Sequence, residues 1–72
     1  MQKVSLDRLY NAAQRGSVLF ANSKGGVTAS RNINAVFAVV PKDKIIGVYD
    51  SFCLEQWLID DLAYFGFDAQ IV

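Results

Sequence analysis

Seventy-two residues make one small domain, residues 1–72, with seven basic and seven acidic side chains, no histidine and one cysteine. Those counts exclude an intramolecular disulfide, a Ser-His-Asp or Cys-His catalytic arrangement and the usual histidine- and cysteine-rich zinc site. The net charge of zero hides a segregation. Lys3, Arg8, Arg15, Lys24, Arg31, Lys42 and Lys44 all precede position 45, against Asp7 and Asp43 alone, whereas the remainder holds Asp50, Glu55, Asp60, Asp61 and Asp68 and no base.

In chain order, Ser5 reads as a helix N-cap, with Asp7 in the first turn, where a carboxylate complements the helix dipole. Leu6, Leu9, Tyr10 and Ala13 follow at spacings of three and four, which builds one apolar stripe, and Gly16 supplies the stop. A helix over 5–15 is predicted, with Arg8, Asn11 and Arg15 on its outward face. Residues 17–22 read as a short strand that ends in the loop Ser23-Lys24-Gly25-Gly26. Val27 to Ile33 alternates weakly, as an edge strand with one wet face would. Ala35 to Val40 is almost continuously apolar and reads as a central strand. Pro41-Lys42-Asp43-Lys44 is a charged turn with proline where a type I turn wants it, and Ile45 to Tyr49 returns as the hairpin partner.

Asp50 or Ser51 then caps a second helix of about residues 51–65. Its inward stripe is Leu54, Leu58, Leu62 and Phe65, and Gly66 ends it. Phe67 to Val72 has room for a last short strand. The predicted class is α+β: an N-terminal helix, an antiparallel sheet of three or four strands, and a C-terminal helix on the same face.

The segment Ala21-Asn22-Ser23-Lys24-Gly25-Gly26-Val27 resembles the start of the deviant Walker-A loop of partition-type ATPases, Lys-Gly-Gly-x-Gly-Lys-Ser/Thr. The resemblance implies a loop whose N–H groups cradle phosphates. It covers seven residues, and the next three are Thr28, Ala29 and Ser30, so the third glycine and the second lysine are absent. A strand also follows, where a phosphate loop opens a helix, so the segment is read as a hairpin loop. Cys53, placed in the first turn of the second helix, has an acidic neighbourhood and no partner base. Asp50, Glu55, Asp60 and Asp61 offer oxygens for Mg²⁺ or Ca²⁺, but adjacent helical carboxylates diverge by about 100° and read better as a solvated face. No catalytic residue, metal site or cofactor is expected, and the chain is not read as an enzyme.

Trp57, Asp60, Asp61 and Tyr64, spaced i, i+3, i+4 and i+7, share one helix face beside the leucine stripe. Aromatic anchors flanked by carboxylates suit a protein partner. The expected function is therefore a stand-alone protein-interaction module, such as an inhibitor, adaptor or regulatory subunit of the kind encoded by phages or mobile elements. The alternative is a nucleic-acid-binding accessory protein using Arg8, Arg15, Lys24 and Arg31 as a phosphate-facing patch. An apolar fraction of 53% in a chain with no covalent or metal staple points to association, as a homodimer or with a larger partner. The start Met1-Gln2-Lys3-Val4 lacks an apolar signal core, and no run approaches the ~20 apolar residues of a membrane span. Together with the lone thiol, this predicts a soluble, cytoplasmic protein.

Overall fold

The computed structural model describes residues 1–71. The order is β1 (Gln2–Ser5), α1 (Leu6–Gln14), β2 (Ser17–Ala21), β3 (Val27–Ser30), α2 (Ile33–Val39), a 3-10 turn (Lys42–Lys44), β4 (Ile45–Tyr49), α3 (Glu55–Tyr64) and β5 (Phe67–Gln70). The strands form an antiparallel sheet in the order β3-β2-β4 and a separate parallel pair, β1 with β5. The α+β class is as expected. The pairing differs in detail, and there is one helix more than the sequence predicts.

Helix α1 begins where its cap is placed. Ser5 is extended, its Oγ accepts from the Arg8 backbone N–H at 3.4 Å, and its hydroxyl donates to Asp7 Oδ1 at 2.9 Å. Gly16, at φ +82, takes the left-handed conformation that ends the helix, and its N–H bonds the Ala13 carbonyl. The buried Ser17 hydroxyl donates to the Ala12 carbonyl at 2.7 Å, which satisfies a helix-end acceptor and joins α1 to β2.

The edge strand expected over Val27 to Ile33 ends at Ser30, because Ile33 already opens a helix. Ala35–Val40 is not a central strand: residues 33–39 are the helix α2, and β4 pairs with β2 instead of with that run. A short apolar run fits a buried strand and a helix equally well, so periodicity does not decide it. Topology does. Strands β3 and β4 both run antiparallel to β2 and flank it, so the chain between them must cross over β2. Helix α2 is that crossover. A turn does follow it, but as a 3-10 turn over Lys42–Lys44 and not a hairpin turn: Pro41 is its extended cap, and the Pro41 carbonyl accepts from the Lys44 N–H at 2.9 Å.

Helix α3 begins at Glu55 and not at residue 51. Asp50 Oδ1 accepts from the Phe52 N–H at 2.9 Å, and the Asp50 carbonyl accepts from the Cys53 N–H at 3.0 Å. Asp50 therefore caps a tight turn that delivers Cys53 to the core, and the helix starts only after it. Leu54 occupies the cap position and is exposed, so it does not belong to the inward stripe. The final strand forms over Phe67–Gln70. The expected continuation ends with Val72, which lies outside the described residues. Its partner β1 lies in a segment with no strand prediction; Gln2 to Ser5 pair in register with Phe67 to Gln70.

The core lies on one face of the three-stranded sheet. Leu9 of α1, Leu19 of β2, and Leu58 and Leu62 of α3 are fully buried together, with Leu6, Ala13, Val27, Ile46, Cys53 and Phe67 around them. A register shift in β4 skips Ile46, a bulge that re-aims its side chain into this core. Val18, buried beside Leu19 in sequence but outside that cluster, points to the opposite face, where the buried Val36 of α2 belongs. Leu58→Ala is expected to lower unfolding free energy by about 2–5 kcal/mol in a urea titration, because a fully buried leucine leaves a cavity.

Candidate interaction surface

Burying Leu58 and Leu62, four residues apart, turns the other side of α3 to solvent. Trp57 is 55% exposed, Tyr64 87%, and Asp60 is exposed with them. The Tyr64 ring meets Phe65 edge-on, with centroids 5.6 Å apart, so its position is set by a side chain that packs on the core. Asp60 Oδ1 accepts from Gln56 Nε2 at 2.9 Å.

Asp61 is placed differently. It is half-buried, and its Oδ2 accepts from the Tyr49 hydroxyl at 2.7 Å. The Tyr49 ring lies over Gly47, where a Cβ would come within 2.6 Å of the phenolic oxygen. The four residues thus divide into an exposed trio and one carboxylate that ties α3 to β4. Burial, the hydrogen bond to Asp61 and that carboxylate's charge push the Tyr49 phenol far above its usual value. The two carboxylates are directed to different partners, Gln56 and Tyr49, as the helical divergence of neighbours requires.

Sequence reasoning also misses two exposed apolar side chains. Phe52 is 81% exposed, and Leu54 is more than half exposed, both just before α3. The available signal is Asp50: an aspartate whose side chain bonds the N–H two residues on makes a turn, and a turn leaves its third residue outside. Cys53 precedes the helix and is buried, and its thiol donates to the Leu54 carbonyl at 3.4 Å. Burial, then the charges of Asp61 and Asp50, hold the thiol above its ordinary pKa, which is the reverse of activation.

The basic residues of the alternative reading do not gather. Arg8 is exposed on α1, which covers the inner face of the sheet, and Arg15 is exposed just after its last turn. Arg31 follows Ser30, which pairs with Val18, so it shares the Arg15 end of the hairpin, while Lys24 sits at the opposite end, beyond Ala21 and Val27. The Walker-like segment is a closed hairpin loop. Asn22 Oδ1 accepts from the N–H groups of Lys24 and Gly26 at 2.9 and 3.0 Å, and the Asn22 carbonyl accepts from Gly25. The N–H groups a phosphate would need are bonded within the loop, and strand β3 follows.

Among the described residues no group of three or more His, Cys, Asp or Glu side chains is placed to hold a metal ion, and no helix is long and apolar enough to cross a membrane. No protein-family model matches the chain, and no curated protein or solved structure shows significant similarity to it.

The raised phenol sets a pH dependence. A group whose folded value lies above its unfolded value stabilises the fold fully below the unfolded pKa, about 10 for tyrosine, and loses that contribution as pH rises past it. Urea midpoints measured from about pH 9 to about pH 12 should therefore fall less steeply for Tyr49→Phe than for the natural chain. Gly47→Ala should displace the Tyr49 ring from Asp61, seen in an ultraviolet titration as phenolate absorbance at about 295 nm that rises at lower pH than in the natural chain.

Proposed function

We propose that this protein is a protein-interaction module, an inhibitor, adaptor or regulatory subunit, that engages its partner through the outward face of α3. Trp57 and Tyr64 are the anchors, Phe52 and Leu54 extend the apolar area, and the exposed Asp60 gives the face its charge, with Asp61 half-buried beside it on Tyr49. The observation that carries this reading is the exposure of four large apolar or aromatic side chains within residues 52–64, a segment with three carboxylates and no base. Clusters of this kind mark binding surfaces, and tryptophan and tyrosine dominate interface energetics. The negative rim selects a partner with basic groups around an apolar pocket. The nucleic-acid alternative draws no comparable support, because Lys24 and Arg31 sit at opposite ends of the hairpin and Arg8 lies on the helix α1.

The test is capture of the partner from native lysate on immobilised protein, followed by binding kinetics with the purified partner. Trp57→Ala should cost about 2 kcal/mol or more, roughly thirtyfold in affinity, while circular dichroism stays unchanged. Asp60→Asn with Asp61→Asn, which leaves Tyr49 an oxygen acceptor, should slow association and flatten its salt dependence. Folded Trp57→Ala and Tyr64→Ala variants that bind at full affinity would place the site elsewhere.

A further inference from the structure

The apolar run that becomes α2 remains largely at the surface. Only Val36 is buried; Asn34, Ala35, Phe37, Ala38 and Val39 are all exposed, Phe37 by 51% and Val39 by 80%. The helix carries no charge, whereas a helix covering a sheet normally turns a charged or polar face to water. Charge stands around it instead. Arg31 precedes it and Lys42 and Lys44 follow it. Lys24 belongs to the β2–β3 loop, which faces Val39, Val40 and Lys44 across an open groove of about 570 Å³. Asp43 is the one carboxylate among them, so this face is apolar at its centre and basic at its rim.

The α3 face is the converse, aromatic at its centre and acidic at its rim. The two lie on opposite sides of the three-stranded sheet, since α3 packs on the Leu19 side and α2 crosses on the Val18 side. We propose that the α2 face receives the α3 face of a second copy of this chain, so that copies associate head to tail. This rests on α3 being a binding surface. Charge complementarity selects the occupant: α2 against α2 would bring two basic rims together, and α3 against α3 two acidic ones. Because the two faces point away from each other, one contact does not close a dimer. Each pair leaves one face of each kind open, and assembly continues.

Sedimentation velocity over a wide concentration range tests this. The natural chain should grow past dimer as concentration rises, and should shrink toward monomer as salt is raised from about 0.1 M to about 1 M, where the screening length falls from about 10 Å to about 3 Å. Val39→Asp disables only the α2 face, and Trp57→Ala with Tyr64→Ala only the α3 face; all three positions are exposed, and circular dichroism checks that both variants fold. Each variant alone should be monomeric. Mixed, they retain one intact face of each kind and should form a heterodimer that stops at one copy of each. A natural chain that stays monomeric or stops at dimer, or either variant still associating alone, overturns the head-to-tail contact. The α3 reading is judged separately: Val39→Asp keeps that face and must still capture the heterologous partner that Trp57→Ala loses.

Discussion

Everything in this fold depends on sealing Leu9, Leu19, Leu58 and Leu62 against one another on a single face of a three-stranded sheet. A chain of this length has one thin core and no disulfide to supplement it, so each buried leucine, worth about 1.5–3 kcal/mol, is a large share of the total. The two long helices must both lie on that face. Once α3 is committed through Leu58 and Leu62, its remaining surface is fixed as well, and Trp57, Asp60 and Tyr64 have nowhere to go but solvent. The candidate surface is the back of the core helix.

The same constraint leaves the other face of the sheet to α2. A seven-residue crossover covers β2 through Val36 but cannot cover the rest, and Val48 of β4, the partner of the buried Val18, stays half exposed. The chain therefore presents apolar area on both sides of one layer. Its formal neutrality conceals how the charges are sorted: basic groups surround α2 and acidic groups line α3. Interfaces gain specificity from such sorting because like-charged pairings are penalised.

Within the acidic helix, the two neighbouring aspartates have different roles. Asp61 holds Tyr49 over Gly47 and so orients α3 on β4, while Asp60 faces solvent beside Trp57 and Tyr64. A glycine is needed at position 47 for this. Any side chain there would occupy the space of the Tyr49 ring. Sequence spacing puts both carboxylates on one face, but only the packing of β4 under α3 separates a tether from a rim charge.

What the sequence by itself determined are the features written in local chemistry. The Ser5 cap and Gly16 stop of α1, the hairpin loop around Asn22, the turn at Pro41 and the shared face of Trp57, Asp60 and Tyr64 all follow from residues within a few positions of one another. Helix α2, the true start of α3, and β1 did not, because each depends on a distant partner. An apolar run such as Ala35 to Val40 carries no periodic signal that tells strand from helix, and here the order β3-β2-β4 imposed the crossover. Asp50 was legible as a capping residue but not as the cap of a turn, since that required Cys53 to be drawn into the core. Strand β1 exists because Phe67–Gln70, at the far end of the chain, lies beside it. Local bonds are encoded by neighbours, whereas pairing across the chain is decided by what the core must bury.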